Sequence, residues 1–181
     1  MIATITIKDI IDEDFTNYKK SSMFIATSKC SFKCEKEDCN VQCQNSKIVK
    51  QPNIIISINK LINRYLNNSI TNAIVIGGLE PFDQFEEIYS FINEFRKYSN
   101  DDIVIYTGYT EDEIHNMKYN EKTYLEAILE VNKSPLNDGN TDSTIIIKYG
   151  RFKSTGDKKY DIGLGVELAS SNQYSKIYKV K

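Results

Sequence analysis

The four cysteines of this chain constrain its fold more than any other feature, because all of them lie within fourteen residues. They are Cys30, Cys34, Cys39 and Cys43. Thiols gathered so tightly in a chain without a recognisable secretory leader indicate a metal site more often than a disulfide framework. We therefore predict a metal-binding loop over residues 28–45 and expect the rest of the chain to hold that loop in place.

The composition is that of a globular protein. The chain has 181 residues, of which 40% are hydrophobic, and a net charge of −2. This is enough apolar material for one domain over residues 1–181, and the charge argues against a general nucleic-acid binder. No run approaches the ~18 apolar residues of a membrane helix, and the N-terminus lacks the pattern of a signal peptide. We expect a cytoplasmic protein that neither crosses a membrane nor binds nucleic acid.

Short apolar runs alternate with helical periodicity, which predicts βα units and a mainly parallel sheet. The predicted strands cover residues 22–27, 72–77, 102–108, 144–149 and 176–180. The predicted helices cover residues 58–66, 83–95, 110–116 and 120–130. Asp83 with Glu86 and Thr110 with Glu113 have the spacing of helix N-caps. A complete eight-unit barrel needs about 250 residues, so we predict an α/β fold that forms a partial (βα) barrel.

The position of the cysteines suits two kinds of metal site. Three thiolates can hold a four-iron cluster and leave one iron open to a small ligand. Cys30 and Cys34 directly follow a predicted strand, where α/β folds place their ligands. Four thiolates separated by three, four and three residues also suit an all-cysteine zinc site. Both alternatives remain open at this point.

Four further motifs follow the cysteines along the chain. They are Gly77-Gly78-Leu79-Glu80-Pro81, Tyr106-Thr107-Gly108-Tyr109, Lys148-Tyr149-Gly150-Arg151-Phe152 and Ser170-Ser171-Asn172-Gln173. Each alone also fits a structural role, since glycine is the usual turn residue and an acid near a helix N-terminus is favourable in any protein. Their order after a cysteine loop is what indicates a common function.

In this order the motifs resemble those of the radical S-adenosylmethionine enzymes. They are most similar to the small activating proteins of anaerobic ribonucleotide reductase. The family pattern has three cysteines at C-x3-C-x2-C and a Gly-Gly-Glu-Pro motif. This chain departs from it in the spacing of the third cysteine and in the insertion of Leu79. Cys43 is followed by Gln44-Asn45, as in the family, so we favour it over Cys39 as the third ligand.

The resemblance implies the cofactors and their binding residues. Cys30, Cys34 and Cys43 would hold a 4Fe-4S cluster within the iron–sulfur loop 28–45. S-adenosylmethionine would be bound by Gly77, Gly78, Glu80, Thr107 and Gly108. Glycine lets the backbone approach the cofactor, and Glu80 offers an acceptor to its amino group. No catalytic residue is expected beyond the cluster and the bound cofactor, because the radical chemistry belongs to them.

The resemblance also implies a reaction and two protein partners. A reduced cluster would cleave S-adenosylmethionine, and the resulting 5′-deoxyadenosyl radical would abstract hydrogen from a glycine of an anaerobic ribonucleotide reductase. The electron donor would be a protein such as flavodoxin or ferredoxin. The alternatives are a radical enzyme on a small molecule, like the 7-carboxy-7-deazaguanine synthases, and a non-enzymatic zinc module with four cysteine ligands.

A set of basic side chains near the end of the chain is predicted to form a solvated loop. The set comprises Lys148, Arg151, Lys153, Lys158 and Lys159. As a second interpretation, the loop could attract an acidic partner surface, since local charge steers encounters.

Overall fold

A computed structural model describes residues 2–37, 42–133, 143–154 and 157–180 of the chain. Its strands are β1 (Thr4–Asp14), β2 (Ser22–Thr27), β3 (Ile54–Ser57), β4 (Ala73–Gly78), β5 (Asp102–Tyr106), β6 (Lys118–Tyr119), β7 (Lys122–Thr123), β8 (Ser143–Tyr149), β9 (Lys159–Asp161), β10 (Val166–Leu168) and β11 (Tyr174–Val180). Its α-helices are α1 (Lys33–Glu37), α2 (Ser46–Val49), α3 (Ile58–Leu66), α4 (Phe85–Phe95), α5 (Glu111–Asn116) and α6 (Tyr124–Val131), and a 3-10 helix covers Pro81–Gln84.

Seven of these strands form one mixed sheet in the order β11-β8-β5-β4-β2-β1-β3. The central strands β2, β4, β5 and β8 are parallel to one another. Strands β1, β3 and β11 pair antiparallel at the two sides. The α/β class is therefore confirmed, but the sheet is only partly parallel. The link between β1 and β2 is too short for a crossover, which requires a dozen or more residues, so these two strands must run antiparallel.

The two faces of the sheet are covered differently. Helices α3, α4 and α6 cover one face and form the larger core with side chains such as Leu61, Phe91 and Ile128. On the other face, Leu164 and Leu168 of the β9–β10 segment pack against a small apolar patch of the central strands. The strand β4 is buried along nearly its whole length, as the continuous apolar run 72–77 predicts for a strand covered on both sides.

The helix starts confirm one sequence prediction and correct another. Thr110 and Glu113 form the predicted capping box at the start of α5. The predicted cap at Asp83 is wrong, because a 3-10 helix already begins at Pro81 and is capped by the side chain of Glu80. The sequence analysis also missed β1 and β3. The polar stretch 132–143 also predicts a loop, and most of it, residues 134–142, lies outside the described residues, as does Cys39.

No helix among the described residues is long and apolar enough to cross a membrane. The large sheet of the described residues has β11 at one edge and β3 at the other. The partial barrel is not confirmed by this strand order and remains a prediction.

The larger core provides the first prediction. Phe91 is fully buried and stacks on Phe95, with 5.8 Å between the ring centroids. We expect Phe91→Ala to lower the free energy of unfolding by about 3–5 kcal/mol, because the change leaves a cavity in the core. Phe15→Ala is the matched control, since Phe15 is 65% exposed, and its effect should stay within about 0.5 kcal/mol. Urea unfolding measures both, and equal losses would contradict this assignment of the core.

Candidate functional site

A cavity of about 260 Å³ opens at the carboxyl ends of the parallel strands. It is lined by the three described cysteines, Cys30, Cys34 and Cys43, and by Gly78, Glu80, Thr107 and Gly108 from the predicted binding set. These residues are far apart in sequence. They meet because the carboxyl ends of parallel strands lie at one edge of a sheet, which is where such folds bind ligands.

The three thiols enter the cavity from different local structures. Cys30 follows β2, Cys34 lies in α1, and Cys43 precedes α2. The backbone N–H of Phe32 donates to Cys30 Sγ at 3.3 Å, and that of Asn45 donates to the thiol of Cys43. These N–H groups favour the thiolate, which is the form that binds metal.

Burial has the opposite effect on the same thiols. It raises the pKa of Cys30 to about 12, although the hydrogen bond from Phe32 lowers it. Burial likewise raises the pKa of Cys43. A bound cation overcomes this cost, because a coordinating thiol is deprotonated by the metal. The donor chemistry of the cavity therefore suits a metal group better than an empty thiol pocket.

The loop that carries Cys30 is fixed by the 3-10 helix at Pro81–Gln84. Gln84 Oε1 accepts the backbone N–H groups of Ser28 at 2.8 Å and Lys29 at 3.2 Å. The side chain of Asp83 accepts the N–H of Ser31 and the hydroxyl of Tyr109. Sequence reasoning missed both roles, because it assigned Asp83 to a helix cap and Gln84 to nothing.

Glu80 lies at the centre of the hydrogen-bond network. Its side chain is almost fully buried, and it accepts the hydroxyl of Thr107 at 2.7 Å, the N–H of Gly108 at 2.8 Å and the N–H of Phe82 at 3.1 Å. Burial raises the pKa of Glu80 to about 7, and these three hydrogen bonds oppose the rise. Two carboxylate oxygens offer about four acceptor positions, so one remains for a ligand in the cavity.

The chain turns sharply at Gly78, at the end of β4. Gly78 has a φ of +82°, and a Cβ there would lie 2.9 Å from the Cα of Ala26. The turn buries Leu79 against the cavity. Asn45 donates its side-chain amide to the carbonyl of Gly78, which ties the third cysteine segment to the end of β4.

Two predicted residues have other surroundings than expected. Gly77 is buried within β4, between Phe24 and Tyr106, and is not among the residues that line the cavity. Thr107 lines the cavity, but its hydroxyl donates to Glu80. Its contact with S-adenosylmethionine remains a prediction.

The two late motifs contact each other at the cavity. Gln173 Nε2 donates to the carbonyl of Gly150 at 3.1 Å, and Asn172 Nδ2 donates to that of Arg151 at 3.0 Å. Arg151 in turn makes a bidentate pair with Glu113, with N–O distances of 2.9 and 2.6 Å. Lys33, beside Cys34, also binds Glu113 at 3.0 Å. This ion-pair network connects the cysteine segment to α5 and to the end of β8.

The arrangement of the thiols bears on the kind of metal group. Among the described residues, no three Cys, His, Asp or Glu side chains are grouped closely enough to hold a single metal ion. Cys39, the fourth thiol of the zinc alternative, lies outside the described residues. The three described thiols line one cavity, and thiolate is a ligand of iron–sulfur clusters as well as of zinc. The donor set of the cavity therefore fits a 4Fe-4S cluster held by three cysteines.

The comparison with protein families agrees with this fit. The family described as a 4Fe-4S single cluster domain matches residues 19–142, which is more than half of the chain. The matched range contains the four cysteines, Glu80 and Thr107-Gly108. It supports binding of an iron–sulfur cluster by this chain. No curated protein and no solved structure matches the chain.

The turn at the end of β4 provides the second prediction. We expect Gly78→Ala to lower the free energy of unfolding by about 1–3 kcal/mol, because the variant holds alanine at a positive φ. The contact of the new Cβ with the backbone of Ala26 adds to this loss. Gly108→Ala is the control, since its new Cβ would meet Glu80 Oε2 at an ordinary 3.5 Å. Thermal unfolding at equal iron content compares the two. A larger loss in Gly108→Ala would contradict the role of Gly78.

Proposed function

The chain belongs to the family of 4Fe-4S single cluster domains, and we propose that it is a radical S-adenosylmethionine enzyme that generates a glycyl radical on an anaerobic ribonucleotide reductase. The observation that carries the proposal is one cavity with three thiols at its edge and the buried carboxylate of Glu80 among its lining residues. The matching family is found in radical S-adenosylmethionine-type proteins, which supports this interpretation.

The proposal assigns Cys30, Cys34 and Cys43 as the cluster ligands. When bound, the cluster and S-adenosylmethionine supply reductive cleavage of a carbon–sulfur bond and a radical that abstracts hydrogen. The chain itself binds, orients and excludes water. The N–H groups of Phe32 and Asn45 that donate to two of the sulfurs stabilise negative charge on them, and hydrogen bonds to sulfur are one of the factors that set a cluster potential.

Glu80 is assigned to the amino group of S-adenosylmethionine. Three of its acceptor positions already bind Phe82, Thr107 and Gly108. These bonds fix the orientation of the carboxylate, so it does not reorganise when an ammonium group arrives. A charge-assisted hydrogen bond at the fourth position is stronger than a neutral one.

The assignment of the reductase as partner depends on the resemblance of the motifs. The Lys148–Phe152 and Ser170–Gln173 elements, which are similar to late elements of the activating proteins, contact each other beside the cavity. This juxtaposition is expected if both serve the same site. An electron donor such as flavodoxin or ferredoxin is proposed on the same resemblance, because reductive cleavage requires an external electron.

The third cluster ligand is tested by a pair of matched variants. We expect Cys43→Ala to lose the reconstituted cluster, since one of three thiolates is removed, and Cys39→Ala to keep it. Iron and sulfide analysis, with electron paramagnetic resonance of the reduced protein, measures the cluster in each. Retention in Cys43→Ala with loss in Cys39→Ala would make Cys39 the ligand. Loss in both variants, with zinc bound by the wild type, would instead favour the four-cysteine zinc module.

The role of Glu80 is tested by the binding and cleavage of S-adenosylmethionine. We expect Glu80→Gln to weaken binding by about tenfold or more, because a charge-assisted hydrogen bond is lost. The measurement is made at pH 8, above the pKa of about 7 that burial gives Glu80. Glu94→Gln in α4 is the control and should bind as the wild type does.

The proposed function itself predicts that the reduced wild-type protein releases 5′-deoxyadenosine and methionine from S-adenosylmethionine. Chromatography of the reaction mixture detects both products. A protein that carries the reduced cluster but neither binds nor cleaves S-adenosylmethionine would refute the proposal.

A further inference from the structure

Lys148 is a buried cation that the proposed function has not yet used. It lies near the end of the central strand β8, is only 7% exposed, and is among the residues that line the cavity. Its Nζ donates to the carbonyl of Gly150 at 3.1 Å. Within the described part of the chain, no carboxylate forms an ion pair with it. The prediction that Lys148 belongs to a solvated loop is therefore wrong.

The burial of Lys148 is unfavourable for the folded protein. A buried ammonium group without a counterion loses its hydration and gains little in return. Burial lowers the pKa of Lys148 to about 8, although the charge of Glu80 opposes this change. The ring of Tyr106, with its centroid 5.8 Å from Nζ, offers a weak compensation.

The single hydrogen bond of Lys148 does not explain its presence either. The carbonyl of Gly150 also accepts the side-chain amide of Gln173 at 3.1 Å, so this oxygen stays satisfied without the lysine. An ammonium group has three donors, and two of them have no partner among the described residues. Lys148 thus brings positive charge and unused donors to the cavity at a cost to stability.

The charges around the cavity are arranged in a way that selects a ligand. Glu80 follows β4, Lys148 is the penultimate residue of β8, and these two strands lie on either side of β5. A cavity with a buried acid and a buried base suits a ligand that carries both an ammonium and a carboxylate group. We propose that Lys148 binds the carboxylate group of the ligand that occupies this cavity.

Two sources can supply this carboxylate. One is the methionine part of S-adenosylmethionine, and this case rests on the proposed function. The other is a separate carboxylic acid that enters the same cavity. In both cases the recognition chemistry is the same, a charge-assisted hydrogen bond from Nζ to a carboxylate oxygen.

The experiment compares ligands with and without the carboxylate. The cluster-loaded protein is titrated calorimetrically with S-adenosylmethionine and with its decarboxylated analogue. We expect Lys148→Met to reduce the preference of the wild type for the carboxylated form by about tenfold or more. Because the preference is compared between two proteins, any contribution of the cluster to it cancels. A third titration uses succinate in the presence of the decarboxylated analogue, and it detects a separate acid.

The controls separate a binding role from a structural one. Lys179→Met changes an exposed lysine on β11 and should leave all three titrations unchanged. The melting temperature of Lys148→Met should equal or exceed that of the wild type, since an unpaired buried charge is removed. Lys148→Arg, which keeps the charge, should retain most of the preference, and Lys148→Gln replaces the methionine variant if that protein does not fold.

Each outcome decides the inference. Loss of the preference in Lys148→Met assigns the lysine to S-adenosylmethionine, and loss of succinate binding alone assigns it to a separate acid. If the wild type binds succinate through Lys148 but neither form of the cofactor, the proposed function fails and the inference stands. If Lys148→Met matches the wild type in all three titrations, or if the wild type shows neither a preference nor succinate binding, the inference is overturned.

Discussion

The buried carboxylate of Glu80 is the interaction on which the site depends. By accepting hydrogen bonds from Thr107 and Gly108, it joins the end of β4 to the end of β5. By accepting from Phe82, it also starts the 3-10 helix, whose Asp83 and Gln84 side chains hold the backbone of the Cys30 loop. A buried carboxylate needs such partners, because leaving its acceptors unpaired would cost several times the net value of one hydrogen bond. One side chain thus links the loop of the first thiol to two strands.

This network explains why the cavity lies on one side of the sheet. The helical face is covered by large apolar side chains of α3, α4 and α6. The opposite face carries a smaller apolar patch under Leu164 and Leu168. Polar groups from the strand ends converge on this side, where the cysteine segment also lines the cavity. The same arrangement provides both the partial exclusion of water and the acceptors and donors that a polar ligand requires.

The sequence predicts those elements whose pattern is set by burial. Strand β4 and helices α3 and α4 were found because a continuous apolar run or a 3.6-residue stripe reports the core directly. Strand β1 could have been predicted, because apolar and polar residues alternate over residues 4–7, which is the pattern of a half-buried strand. The pattern ends at the register shift between Ile7 and Asp9. Strand β3 has only four residues, which is too short for a clear pattern. The start of α4 was wrong because the side chain of Glu80 begins a 3-10 helix two residues before the expected cap at Asp83.

The residues of the candidate site also differ in how well the sequence predicts them. The cysteines and Glu80 could be placed together from sequence, because each follows a parallel strand and the carboxyl ends of such strands share one edge. The burial of Lys148 could have been found as well. It interrupts the apolar run 144–149 of a strand that is covered on both faces, and a lysine at such a position cannot reach water by alternation alone. A basic residue inside a run of this kind has to lie in a cavity or find a counterion. Charge in a central parallel strand is therefore a stronger signal of a binding site than the basic loop that follows it.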